Sequence, residues 1–343
     1  MIRYEIRAAG LDDEEQLLRL ARFLNTVNLP DDRGHVQNLL DHATRSFSGA
    51  IKDSRRRKYV FVLWDLEREV AVGTSMIVAQ LGRRDAPYIY FDVIPEEKYS
   101  RALDRYFHHT VLRLGFSWNG PTEIGGLIVD PDYRRATEKL GLLISYVRFL
   151  YIAAHPELFQ KEVLAELLPP LEPDGTSHLW EALGRHFTGM SYAEADLLSS
   201  EDKGFVRDLF PSGNIYASVL SEDAQGVIGK VGAQTRGVEK MLRRIGFRYA
   251  ERVDPFDGGP HFVAPLDEIT LIQNTTRARF VGALDQNAPA ARAMVALESD
   301  GAPWLRVVGT TAALGDDGVE LEPAAIKHLA LSEGDEVVVL PLK

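Results

Sequence analysis

Gly126-Leu-Ile-Val-Asp-Pro-Asp-Tyr-Arg-Arg-Ala-Thr-Glu-Lys-Leu-Gly-Leu-Leu-Ile-Ser145 is the stretch whose reading decides the fold. Gly126 to Val129 is an apolar run bounded by turn residues, Asp130-Pro131-Asp132 stops it, and an apolar helix starts near Lys139. The layout is a buried strand, a loop carrying Arg134 and Arg135, and a helix with Gly141 near its start. A helix N-terminus presents unpaired backbone N–H groups and a partial positive charge, so backbone and arginines together suit a pyrophosphate. The same residues also read as a plain strand-turn-helix with solvated arginines, and the motif by itself leaves both readings open.

Working outward, composition narrows the class. A chain of 343 residues is long for one core and suggests two or three packed units. Hydrophobic residues at 45% and charged residues at 26% are ordinary for a globular protein and exclude disordered and fibrous classes. The formal net charge of -11 argues against a nucleic-acid or anionic-membrane partner, so an anionic ligand must meet a local basic pocket. With no cysteine, disulfides, thiolate nucleophiles and cysteine-rich zinc sites are removed together. Charges stand where a signal peptide needs an apolar core, and no run approaches a membrane span, so the cytoplasm is the expected location.

The rest of the N-terminal half reads as mixed α/β. Ile2 to Arg7 alternates like a strand, and Asp12 or Asp13 is placed to cap a helix through Leu17, Leu18, Leu20, Ala21 and Leu24. A helix from about Val36 to Phe47 and the strand Tyr59 to Trp64 follow. A charged turn at 65–69 joins that strand to Val70 to Val78 as a hairpin. Tyr88 to Val93 and Glu123 to Val129 read as strands separated by a helical stretch, Tyr99 to Leu112. The predicted order is β-α-α-β-β-β-β-α.

That order, with the 126–145 loop, resembles the GCN5-related N-acyltransferases, whose central strand and following loop hold the pantetheine and pyrophosphate of an acyl-coenzyme A. Together, LIVDPDYR, EVLAELLPPLEPDGTSHLWEALGRHF, AQGVIGKV, MLRRIGFRY and DPFDGGP are similar to the arginine N-succinyltransferase family. The resemblance runs to the final GDEVVVLPL. It implies an α/β fold and transfer of the succinyl group of succinyl-coenzyme A to the α-amine of arginine, without a metal. It also implies a homodimer or a heteromer with a related subunit.

Carried onto this chain, the resemblance places a succinyl-coenzyme A contact at Leu127, with Ile128 and Val129 on the same edge, and matches Arg134 to an arginine at the loop entrance. The stretch from there to Gly141 is about two residues longer and poorer in glycine than the family pattern. Gly232 and Ala233 occupy the places of the family's proton-transfer histidine and its following proline, and neither carries a proton. A second family histidine is missing from Phe210 to Tyr216.

Direct attack on a thioester needs an unprotonated amine, a donor for the developing oxyanion and something to protonate the departing thiolate. Backbone N–H groups of the Leu127 strand are candidate oxyanion donors. Freeing an α-amine of pKa about 8 at neutral pH costs about 1.4 kcal/mol, against about 4.6 for a lysine-type amine. Positioning alone supplies roughly 7 to 11 kcal/mol, so losing a histidine weakens catalysis without abolishing it. Candidate proton carriers are Glu123, His178 and His186, with His178 and Glu181 on neighbouring positions of one helix face. For both histidines a helix-surface role is the simpler reading. Asp254 and Asp257, around a double glycine before His261, read either as capping aspartates in a tight turn or as partners for an amine or guanidinium.

Leu179 to Phe187 and Lys240 to Tyr249 both resemble the late helix-to-strand junction of an N-acyltransferase, where one is expected per domain. A second acyltransferase-like lobe or a large insertion in a single domain would explain this; the expected organisation is an acyltransferase-like domain at 1–155, a second such lobe at 156–268, and a small β module at 269–343. Short strands at Ile269 to Ile272, Trp304 to Val308 and Glu336 to Leu340 are predicted in the module. The expected activity is acyl transfer to a small amino-acid acceptor. An N-acyltransferase of another amine or donor, and a non-catalytic partner subunit, are the alternatives.

Overall fold

The computed structural model describes residues 1–23, 29–83, 86–201, 203–285 and 289–342, so Leu24 lies outside the described residues. The first elements are β1 (Tyr4–Ala8), α1 (Glu14–Ala21), α2 (Arg33–Phe47), β2 (Lys58–Asp65) and β3 (Val70–Val78). They are followed by β4 (Tyr88–Ser100), β5 (Arg105–Ser117), β6 (Thr122–Val129), α3 (Leu140–Ala154) and β7 (Glu162–Glu166). Two compact units divide the chain. Met1–Ala79, Ile124–Gln160 and Leu266–Lys343 make the first, and Gln80–Glu123 with Lys161–Pro265 the second.

In the first unit β1, β2 and β3 form an antiparallel meander with Ile6 opposite Leu63 and Phe61 opposite Ser75. Val36, Leu39, Leu40 and Ala43 recur on one face of α2 and are buried with Leu17 and Leu20 of α1. Each such leucine contributes about 1.5–3 kcal/mol by leaving water. Asp32 caps α2, its carboxylate accepting from the His35 amide at 2.7 Å. Helix α3 is apolar nearly all round, which suits a helix buried on most faces, and from Leu143 to Ile152 every residue but Tyr146 is buried. The C-terminal strands Leu305–Gly315 and Glu336–Pro341 are present as expected, and the first pairs antiparallel with β1, Ile6 opposite Val307.

In the second unit β4 and β5 pair in register from Tyr88↔Ser117 to Ser100↔Arg105. The parallel partner of the first two residues of β6 is β7, with Thr122↔Val163 and Glu123↔Leu164. The antiparallel strand Pro260–Pro265 lies beside β7, His261 opposite Glu166. Its core gathers Ile89, Phe91, Leu112, Trp180, Leu183 and Phe256.

Three predicted elements differ. The stretch from Tyr99 to Leu112 is not a helix but the turn and first half of β5. Cross-strand pairing of Tyr99 with Tyr106, ring centroids 4.8 Å apart, overrides the local helical spacing, and Asp104 takes the left-handed turn position at φ 45°. The order is thus β-α-α-β-β-β-β-β-α. Ile269 to Ile272 is not a strand; Thr270–Asn274 is a short helix, since a four-residue apolar run carries no period. Leu179 to Phe187 does not run into a strand: Gly189 ends the helix at φ 71° and the helix Tyr192–Glu201 follows.

One backbone position shapes β6. Gly126 has φ 56°, and a Cβ there would lie 2.9 Å from Met76 Cγ. Arg148 of α3, 2% exposed, donates from Nη1 to the Gly125 carbonyl at 3.3 Å and from Nη2 to Ser145 Oγ at 2.6 Å. The kinked strand is therefore held from the α3 side. Gly126→Ala is expected to cost about 1–3 kcal/mol through strain and contact. A denaturant midpoint unchanged from wild type would contradict this.

Candidate active site

The loop after β6 is built from its first residue. Asp130 is buried, accepts from the Asp132 amide at 3.1 Å and pairs with Arg19 of α1 at 2.7 Å. Arg19 also donates to the Ala71 carbonyl. Asp130 thus ends the strand and pins the turn Pro131–Tyr133. Arg134 is exposed and donates from Nε to the Val129 carbonyl at 3.1 Å, which leaves the far edge of its guanidinium to solvent. Arg135 is exposed as well. Lys139 enters α3 in the left-handed conformation at φ 57°, and Gly141 follows in the first turn, half-buried. Among the described residues the amides of Glu138, Leu140 and Gly141 have no backbone acceptor. Leu127 and Val129 are half-buried on either side of buried Ile128. The five positions expected to hold coenzyme A, Leu127, Val129, Arg134, Arg135 and Gly141, therefore share one strand end, loop and helix start.

A second constellation lies in the other unit, in the turn that joins the strands Arg248–Val253 and Pro260–Pro265 and on β7. Asp254 accepts through Oδ1 from the Phe256 amide at 2.7 Å, and Asp257 through Oδ1 from the Gly259 amide at 2.7 Å. Both aspartates are turn caps, and each keeps its second oxygen outside those bonds. Glu166 Oε1, one oxygen of Asp254 and a nitrogen of His261 lie within 4.8 Å of one another. His261 is fully buried, with Nδ1 2.6 Å from Tyr88 Oη. Its Nε2 faces Glu166 Oε1 at 3.5 Å and makes no hydrogen bond.

The electrostatics of this group run one way. Burial first, then Glu123, Asp254 and Asp257, push the Glu166 carboxyl well above the usual range. Burial, then Asp254 and Asp196, do the same to Asp257. Asp254 is raised by burial against Lys203 and the two turn amides. Burial and Asp254 lift Asp196 to about 6. His261 is pushed down to about 3 by burial, with Lys203 and Arg252 adding to it, and is neutral at pH 7. Crowded carboxylates in a low-dielectric setting call for protons or a cationic ligand.

The other proposed proton carriers sit elsewhere. Glu123 is buried rather than solvent-facing and raises Glu166 through space. His178 faces Glu172, Nε2 to Oε1 3.2 Å, while Glu181 pairs with Arg185 at 2.8 Å and not with His178. His186 is exposed on the helix Arg185–Thr188. At Gly232 the amide donates to the Leu168 carbonyl at 2.9 Å, and a Cβ would fall 2.6 Å from the Pro169 carbonyl oxygen. The backbone here leaves no room for an imidazole. Sequence reasoning passed over Glu166 and assigned His261 no role. The signal available was their place in or beside motifs already singled out, Glu166 within EVLAEL and His261 directly after DPFDGGP.

The family model described as "Arginine N-succinyltransferase beta subunit" matches residues 4–271. The arginine N-succinyltransferase of Yersinia pestis (strain Pestoides F) is 31% identical over 321 residues, 92% of this chain and 91% of its own. That of Yersinia enterocolitica is 32% identical over 341 residues, 98% and 97% of the two chains. The solved structure of arginine/ornithine succinyltransferase subunit AI from Pseudomonas aeruginosa superposes with a TM-score of 0.83 at 26% identity, covering 99% of each chain. Fold and matches together define an α/β acyltransferase of the kind that draws on an acyl-coenzyme A. The chain belongs to the arginine N-succinyltransferase family.

Two outcomes follow from this geometry. Placing an imidazole at this position by Gly232→His is expected to lower the melting temperature and to leave turnover no higher, since the backbone contact must move first. A variant as stable as wild type and faster would contradict it. For Asp196, folded near pH 6 against about 3.9 unfolded, the stabilising proton is fully bound below about pH 4 and lost as pH rises through about 6. Asp196→Asn is therefore expected to exceed wild type by on the order of 1–3 kcal/mol at pH 8 and to match it near pH 4. Thermal unfolding at both pH values checks the sign, and a variant less stable at pH 8 refutes it.

Proposed function

We propose that the protein transfers the succinyl group of succinyl-coenzyme A to the α-amine of L-arginine, releasing coenzyme A and N2-succinyl-L-arginine. The observation that carries this reading, beyond family membership, is the crowded carboxylate cluster at Asp254 and Asp257, which Lys203 offsets only in part. An acceptor with an ammonium and a guanidinium supplies the positive charge that cluster lacks. In this reading the coenzyme's amide arm runs along the β6 edge at Leu127 and Val129. Its diphosphate meets the open amides near Gly141 with Arg134 and Arg135. A cytoplasmic location accords with an acyl-coenzyme A co-substrate. The absence of an imidazole at position 232 favours one competing reading, a non-catalytic partner subunit that keeps the fold without turnover.

Thiol release measured with arginine, ornithine and other amines, each against succinyl- and acetyl-coenzyme A, is expected to be fastest for arginine with succinyl-coenzyme A. Arginine inert while another pair turns over would overturn the assignment. Titration calorimetry separates the partner-subunit reading: no coenzyme A binding at millimolar ligand marks a structural subunit. The Arg134→Ala, Arg135→Ala double variant is expected to weaken coenzyme A by roughly tenfold or more, the loss of two charge-assisted contacts. Unchanged affinity removes both arginines from the site.

A further inference from the structure

We infer that Glu166, Asp254 and His261 form a three-point seat for the acceptor's α-ammonium, and that Glu166 is the base that frees the amine. This rests on the function proposed above and adds to it the residue that takes the proton.

An ammonium donates three hydrogen bonds in tetrahedral directions, at N···O distances of about 2.8 Å, so its acceptors stand about 4.6 Å apart. A divalent transition metal at about 2.0–2.2 Å draws its ligand atoms to roughly 3.0–3.6 Å of one another. The three atoms here all lie within 4.8 Å of one another, with His261 Nε2 and Glu166 Oε1 3.5 Å apart, so they can converge on one small cation, and the chelator arm of the test below separates ammonium from metal. Next is the orphan atom. His261 is fully buried and its Nε2 lacks a hydrogen bond although it points at Glu166. A buried ring nitrogen left unsatisfied is destabilising unless a ligand completes it. In the proposal the ring carries its proton on Nδ1, donated to Tyr88 Oη 2.6 Å away, and Nε2 accepts from the ligand. Finally, Glu166 keeps 30% of its side-chain surface open whereas His261 keeps none, so Glu166 is the member that can pass a proton to solvent.

The steps balance. The α-ammonium gives one proton to Glu166. The neutral amine attacks the thioester carbonyl carbon, a C–N bond forms, and the C–S bond breaks. The departing coenzyme A thiolate takes the second amine proton, and Glu166 releases the first to solvent. The products are an amide, a thiol and one proton. Burial and the neighbours Glu123, Asp254 and Asp257 raise the basicity of Glu166, which suits it to take a proton.

The test is steady-state kinetics of the full chain over pH 6 to 9.5 with arginine and succinyl-coenzyme A. Glu166→Gln is expected to lower kcat at pH 7 by tenfold or more and to regain activity as pH approaches 9, where the free amine forms unaided. Asp254→Asn is expected to raise KM for arginine with KM for succinyl-coenzyme A unchanged. Glu166→Asp, which keeps the carboxylate, is expected to retain the wild-type shape of the pH profile at lower kcat; this separates a proton-transfer role from a structural one. A Glu166→Gln enzyme with wild-type kcat and pH profile overturns the inference. So does activity abolished by chelator and restored by a divalent ion, which would make the seat a metal site. A wild type inert to arginine but active on another primary amine refutes the proposed acceptor alone, and the same variants then judge the seat with that amine.

Discussion

The charge at the 254–259 turn is the constraint on which the rest of the second unit depends. Asp254 raises Glu166, Asp257 and Asp196, and like charges about 5 Å apart at an effective dielectric near 20 would repel by roughly 3 kcal/mol. Such a group stays in place only if its frame is rigid. The frame is visible: Phe256 stacks on buried Trp180 with centroids 5.2 Å apart, and Ser177 Oγ donates to the Phe256 carbonyl at 2.9 Å. The aspartates take their cap bonds from the turn's own amides. Packing energy thus offsets the repulsion, as the proposed cation seat requires.

The first unit meets an opposite demand, positive charge with open donors. Its solution is mostly backbone. Gly126 kinks β6, Asp130 and Arg19 lock the turn, and α3 begins with amides that no side chain caps. Arg148, buried without an acidic partner and pushed down to about 9 by burial, holds the strand from beneath. The left-handed backbone sits in the strand at Gly126 and at Lys139 rather than along the loop between them.

How much of this was readable in the chain depends on the range of the forces involved. The strand, loop and helix around 126–145 were legible because a short apolar run, an Asp-Pro-Asp stop and an apolar helix are local signals. The β4–β5 hairpin was not: Tyr106 and Phe107 stand at helical spacing with their neighbours, and only pairing with the far strand makes them extended. The same holds for the units, since nothing in 80–123 announces that it packs with 161–265. Asp254 and Asp257 were legible as acids beside a double glycine. Glu166 was not, because its role depends on an antiparallel partner almost one hundred residues away, His261. The missing histidine was read as a loss at Gly232; the structure adds that the Pro169 carbonyl occupies the space a side chain would need.

The central claim is that buried carboxyls in the second unit hold protons until a cationic acceptor arrives. Titration calorimetry of L-arginine at pH 6.5, in buffers of different ionisation enthalpy, reads that exchange directly. The account predicts net proton release on binding, as the ammonium lowers the basicity of Glu166 and its neighbours. Binding with proton uptake, or with no exchange, would contradict it.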